Sequence, residues 1–210
     1  MFSSLENKTI PNAHVLQMDA EHIGFKDGTF EAALCGFLGW DYCFDFVRNE
    51  FTRPDTRSLE IARVLKKGGQ IWISQWTRQE NLDWMEERFI RTYPAVEHDA
   101  EFVRRRPIGY SRENADAYVK ILKNAGYEKI EIRTETTDLV AAHEDAWWRE
   151  VGRLGWSGFL KRVQEFGSTP VDVFKESVFK NLQSHRQPDG IHFTKTVNFA
   201  RGEKQTHQSG

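Results

Sequence analysis

An α/β fold with a mixed sheet is predicted for this 210-residue sequence, and three patterns predict it. Two short apolar runs, Ala13 to Met18 and Glu31 to Phe37, and the alternating run Gln70 to Trp76 are separated by turns and helical segments. Crossovers of that length bring successive strands parallel. Two later runs, Lys129 to Thr136 and Ile191 to Ala200, alternate polar and apolar residues, as strands with one wet face do. Their place in the chain predicts a parallel core, helices on both faces and an antiparallel C-terminal strand pair.

Each element has a local reason. Phe2 to Lys8 has the character of a final helical turn, which Pro11-Asn12 stops. The run A-H-V-L-Q-M then predicts a strand ending at Asp19, and Phe25 to Phe30, with Asp27-Gly28 inside it, predicts a turn. E-A-A-L-C-G-F is nearly free of polar side chains, as a central parallel strand should be. Asp41 to Phe51 and Thr56 to Lys66 have helical character, the second ending before Gly68-Gly69. Helices are also predicted over Glu80 to Tyr93, Ser111 to Asn124, Glu144 to Leu154 and Pro170 to Gln187, with Gly126 closing the second of these. Pro94 to Tyr110 is a charged connection containing Arg104-Arg105-Arg106. The pattern gives one domain over residues 1–204 and a polar, disordered tail over 205–210.

Composition narrows the function classes. A formal net charge of -2 provides no global field for nucleic acid or an anionic membrane, so small molecules or proteins are the expected partners. Cys35 and Cys43 belong to no paired-cysteine or histidine-rich cluster and are expected to be reduced structural thiols of a cytoplasmic protein. No segment reaches the roughly 18 apolar residues of a spanning helix. His98, Asp99 and Glu101 have no metal-ligand spacing, and three adjacent arginines without interleaved aromatics form a solvated loop.

Two segments carry a family resemblance. Asp19-Ala20-Glu21-His22-Ile23-Gly24-Phe25-Lys26-Asp27-Gly28-Thr29-Phe30-Glu31 resembles the D-A-E-x-L-P-F-x-D-x-x-F-D stretch of class I S-adenosylmethionine-dependent methyltransferases similar to the ubiquinone and menaquinone biosynthesis enzymes, of the type 11 kind. Arg63-Val64-Leu65-Lys66-Lys67-Gly68-Gly69 resembles their R-V-L-K-P-G-G turn, and Asn124-Ala125-Gly126-Tyr127 ahead of two strands is similar to their C-terminal end. Gly24 stands where the family has proline, and Glu31 where it has aspartate. The resemblance implies a Rossmann-like methyltransferase sheet. It also implies that the family's first two strands are missing, because no acidic G-x-G-x-G loop precedes Asp19, so this sequence is expected to be a fragment that lacks two βα units of about 30 residues each.

The same resemblance implies S-adenosyl-L-methionine as cofactor and a small-molecule methyl acceptor. Asp19, Ala20 and Glu21 would face the adenine, and Gly36, Phe37 and Leu38 the sulfonium and methionine arm. Asp19 as a mere turn cap is the alternative. Trp40, Tyr42 and Trp147 are candidates for an acceptor pocket, with core packing as the competing role for each, and Trp148 and Trp156 belong to the same late aromatic cluster. In-line methyl transfer needs alignment more than a base; His143, Tyr110 and His22 are the weak base candidates. The competing function is a non-enzymatic binding or regulatory relic. Strand edges left unpaired by the missing strands predict aggregation or a homodimer.

Overall fold

The computed structural model describes residues 12–40, 42–46, 48–94, 115–153 and 171–206. Its main sheet contains β1 (Phe30–Gly36), β4 (Leu65–Gln79), β5 (Tyr127–Ala141) and β7 (Gly190–Lys204), in the order β1-β4-β7-β5, with the short β6 (Arg186–Gln187) against β7. β1 and β4 run parallel, whereas β7 is antiparallel to both β4 and β5. The parallel core and the antiparallel C-terminal pair are therefore both present. β7 lies between β4 and β5, so its ladder is complete on both sides.

Five helices join these strands among the described residues: α1 (Thr56–Val64), α2 (Glu80–Thr92), α3 (Ala115–Asn124), α4 (Glu144–Arg153) and α5 (Val171–Leu182). Strand alternation assigns them to two faces. On one face Ile71, Ile73 and Ala200 pack with Ile61 and Ala62 of α1 and with Tyr118, Ile121 and Leu122 of α3. On the other, Ile191 and Phe193 pack with Met85 and Phe89 of α2, Trp147 and Val151 of α4, and Phe174 and Val178 of α5. Each large apolar side chain buried in these layers contributes about 1.5–3 kcal/mol. Among the described residues, helices cover the second face over the far half of β7. Its remainder exposes Leu34, Trp72 and Phe199, and Leu34 is 84% accessible.

The helix expected to run to Gln187 ends at Leu182, because Arg186–Gln187 pairs with β7 as β6, and two further elements differ from expectation. Ala13 to Met18 forms no strand: Val15, Leu16 and Met18 are exposed, and only an isolated bridge joins Asp19 to His22. An apolar run becomes a strand by pairing, and among the described residues none pairs with it or with the outer edge of β1. The helix expected over Asp41 to Phe51 is instead the hairpin of β2 (Phe44–Asp45) and β3 (Glu50–Phe51). Asn49 takes a left-handed conformation at φ 54°, Arg48 N–H donates to Asp45 Oδ1 at 3.0 Å, and the Phe44 and Phe51 rings meet edge to face across the strands. Cross-strand aromatic packing outweighs weak helical periodicity here. Arg104 to Arg106, His98, Asp99, Glu101, Tyr110, Trp156 and the end of the 205–210 tail lie outside the described residues. Among the described residues no helix is long and apolar enough to cross a membrane, and no group of acidic, histidine or cysteine side chains forms a metal site.

Candidate cofactor and acceptor site

The two resembling segments meet physically, and Arg63 joins them. Its guanidinium spends all five N–H donors on the segment after Asp19 and on Glu60. Nε and Nη2 hold the Glu60 carboxylate at 2.6 and 2.9 Å, Nη2 also reaches Ile23 O at 2.8 Å, and Nη1 reaches Phe25 O at 2.9 Å and Asp27 Oδ1 at 2.6 Å. Glu60 completes the clamp by accepting Ile23 N–H at 2.8 Å. The planar fork explains why arginine suits this position better than lysine. Its pairing with Arg63 holds the Glu60 carboxyl down at about 2, well below the ordinary carboxylate range.

The glycines that follow have steric reasons. Gly68 is left-handed at φ 73°, and a Cβ on Gly69 would lie 2.8 Å from Lys66 O and 3.1 Å from Glu31 O. Only glycine lets β4 make its irregular bend between Leu65 and Gln70 while passing this close to the start of β1.

The carboxyl ends of β1 and β4 form the candidate cofactor region. Gly36 is open, since a Cβ there would touch only Ser74 Oγ at 3.9 Å. Phe37 turns back at φ 53°, donates its N–H to Ser74 O at 2.7 Å and stacks on Trp76 with ring centroids 4.5 Å apart. Leu38 is half-buried beside it. Asp19 is exposed, with Ala20 and Glu21 half-buried, and its Oδ1 accepts Glu21 N–H at 2.9 Å. That bond is the turn-capping role, and Oδ2 remains on the solvent side, 3.8 Å from His22 Nδ1.

The structure places the acceptor candidates apart. Trp40 is fully buried, its indole N–H shared between Asp55 Oδ2 at 3.1 Å and Ser58 Oγ at 2.8 Å, so it is a core residue and walls no open pocket. Asp55 also caps α1 through Ser58 N–H at 3.0 Å and accepts Tyr42 OH at 2.5 Å. Tyr42 lies under the Arg57 guanidinium, 4.0 Å away, and burial followed by the Asp55 bond raises its hydroxyl above the ordinary tyrosine range. Trp147 is buried against Phe193 on the opposite face. Of the base candidates, His143 is an exposed helix cap whose Nδ1 accepts Ala146 N–H at 3.3 Å, and His22 is exposed beside Asp19. Burial pushes the Cys35 and Cys43 thiols up to about 11, which suits structural rather than nucleophilic cysteines.

Comparison with known proteins finds a family match over the part of the chain that Arg63 joins. Residues 2–73 match the family model described as Methyltransferase domain. The first third of the chain is thus similar to methyltransferase-domain sequence. The match covers both Asp19 to Glu31 and most of β4's approach, the two parts that Arg63 ties together. No curated protein matches the chain. Among solved structures, the chain is similar to a protein from Bacillus halodurans provisionally assigned as a methyltransferase, with 22% identity, 91% of this chain and 78% of that one covered, and a TM-score of 0.45. It is similar to the YcgJ protein of Bacillus subtilis at 17% identity, covering 90% and 70%, with a TM-score of 0.46. A phosphoethanolamine N-methyltransferase 2 of Haemonchus contortus, solved with S-adenosylhomocysteine, is similar at 17% identity over 89% of this chain and 36% of that one, with a TM-score of 0.37. The family match, rather than these likenesses, carries the functional argument.

Two polar residues escaped the sequence reading. Lys195 is 3% exposed on β7, and Asn81 is buried at the start of α2. The signal for the lysine was available: it sits in phase with Ile191, Phe193 and Val197 on an alternating strand, where an apolar side chain belongs.

Proposed function

We propose that this chain contributes to S-adenosylmethionine-dependent methyl transfer onto a small-molecule acceptor. The observation that carries the reading is the methyltransferase-domain match over residues 2–73, whose two motifs are locked together by Arg63. Asp19, Ala20 and Glu21 are assigned to the adenine side, and Gly36, Phe37 and Leu38 to the methionine arm. These residues fit such a group in two respects: Asp19 has a solvent-facing carboxylate oxygen, and the space above Gly36 is open. The cofactor, when bound, supplies an electrophilic methyl group for in-line displacement. The chain's own part is to hold that group, to close Phe37 and Trp76 over its side of the site, and to exclude water. Tyr42 and Trp147 then serve as supports, the first through Asp55 and the second through the aromatic cluster around Phe193.

Calorimetry with S-adenosylhomocysteine tests this directly. The chain should bind it, and Asp19→Ala should weaken binding; no heat up to about millimolar ligand, roughly -4 kcal/mol of affinity, would refute the assignment to these residues. One observation favours the second reading, a non-enzymatic relic of the fold that has lost cofactor binding: among the described residues Ala13 to Met18 pairs with no strand. Binding of the cofactor product would exclude a relic that has lost cofactor binding. The partner reading includes self-association through the outer edge of β1, where Leu34 is exposed and no strand pairs among the described residues. A concentration-independent monomer in sedimentation would overturn it.

A further inference from the structure

Lys195 interrupts an apolar strip. On β7 it lies in phase with Ile191, Phe193 and Val197, and it is only 3% exposed. Burying an ammonium is costly unless fixed groups replace its hydration. Among the described residues Lys195 forms no ion pair; the Glu150 carboxylate of α4 attracts it, and its Nζ stands over the Trp76 ring, 5.2 Å from the ring centre. A cation at that distance is attracted by the negative face of the indole, more strongly where water is excluded. Burial lowers Lys195 below the ordinary lysine range, which marks its ammonium as desolvated.

Trp76 has a second neighbour. The Phe37 ring stacks on it with centroids 4.5 Å apart and planes 22° from parallel. Phe37 needs that support: it is a non-glycine residue in the left-handed region at φ 53°, it is 48% exposed, and its backbone is tied to β4 by the bond from its N–H to Ser74 O at 2.7 Å. Trp76 itself sits at an irregularity, where the register between β4 and β7 shifts between Trp76 and Arg78, so regular pairing alone does not fix its indole. A matching contact lies one turn of the pleat away. Arg201 stands 5.3 Å over the Trp72 ring centre, but Trp72 is 43% exposed and, among the described residues, stacks on no other ring.

We infer that Lys195 is a positioning residue for the methionine-arm side of the site: its ammonium holds the Trp76 indole, and the indole holds Phe37 in the left-handed turn that closes β1. Lys195 acts through Trp76 rather than on the cofactor. The relay stands on these contacts alone; its meaning for cofactor binding rests on the methyl-transfer reading, which assigns Phe37 to the methionine arm.

Amide hydrogen exchange at Phe37, whose N–H is bonded to Ser74 O, reads the turn directly. Lys195→Met keeps an apolar stem and removes the charge. It should speed exchange at Phe37 about five- to thirtyfold, while Ile71 and Ile73, paired on both sides within the sheet, exchange no faster. Lys195→Arg should restore the wild-type rate, and Arg201→Met should leave it unchanged. In a Trp76→Leu background Lys195→Met should add nothing, because the route through the indole is already gone. Lys195→Gln takes the place of Lys195→Met if the latter lacks a cooperative melt. Unchanged exchange at Phe37, an equal acceleration at Ile71 and Ile73, failure of arginine to rescue, or a full effect without Trp76 would each overturn the relay. S-adenosylhomocysteine tests its meaning on the unmodified chain, where saturating ligand should slow exchange at Phe37. Binding without that protection sinks the placement of Lys195 at the cofactor site; no binding at all sinks the methyl-transfer reading, while the relay stands or falls on the exchange rates of the variants.

Discussion

Replacing Arg63 with methionine should free the segment after Asp19 while leaving the sheet folded. The substitution keeps an apolar stem of similar reach and removes the bidentate Glu60 pair, two bonds to backbone carbonyls and the Asp27 contact. A bond to a charged partner is worth about 1.5–3 kcal/mol and a neutral one about 0.5–1.5 kcal/mol, but Arg63 is one-third exposed, which places the loss near 2–4 kcal/mol. The loop contributes few apolar contacts, chiefly Ile23 and Phe30, so most of this loss should appear as local opening. At about 1.4 kcal/mol per tenfold, amide exchange of Ile23, whose N–H is held by Glu60, should accelerate roughly 30- to 700-fold. The global melt should fall only a few degrees. Arg63→Lys should lie between, because an ammonium can hold Glu60 without serving both carbonyls. The effect has a pH signature. Glu60 is depressed in the folded chain from 4.5 to about 2, so its contribution is full above about 4.5 and is lost as pH falls through that window toward 2. The difference between wild type and Arg63→Met should therefore narrow between pH 5 and about 2. Unchanged exchange at Ile23, or a difference that stays constant down to acid pH, would refute the clamp.

Three further outcomes follow from the same geometry. Gly69→Ala should destabilise the fold by about 1–3 kcal/mol in a denaturant titration, because the added methyl meets backbone oxygens of Lys66 and Glu31 rather than a side chain that can yield. Trp40→Phe should cost about 1–3 kcal/mol by leaving buried Asp55 and Ser58 without their shared donor, and Asp55→Asn in that background should recover part of it. Glu144 is likewise held at about 2 by Arg186, so Arg186→Met should remove a stabilising increment that wild type shows above about pH 4.5 and loses on acidification; identical acid melts for the two would contradict this.

The strands that bury one or both faces were legible in order, because alternation and apolar runs report the chemistry of a face directly. Glu31 to Gly36, Gln70 to Trp76, Lys129 to Thr136 and Ile191 to Ala200 all lie in strands, Phe37 alone falling past the end of β1, and the strands extend past the other bounds by as much as five residues. The extensions carry charged residues such as Arg201, whose strand conformation comes from pairing with Trp72 and Glu131 on its two neighbours rather than from its own preference, while Lys66 to Gly69 form the irregularity between the Leu65 and Gln70 pairings. Ala13 to Met18 shows the converse, since its apolar run lacks the neighbour that would make it a strand.

By itself, the amino-acid sequence determined the α/β class, the parallel core with its antiparallel C-terminal pair, and the two motifs that resemble methyltransferase-domain sequence, because each is written in local periodicity or in contiguous residues. Tertiary structure alone decided the rest. It showed that Arg63 reaches back 40 residues to Ile23, that Trp40 belongs to the core through Asp55, and that Phe37 and Lys195 from distant parts of the chain meet the same Trp76 ring. Those outcomes depend on distances between chain segments, and such distances are set only when the sheet closes its ladders and the helices choose their faces.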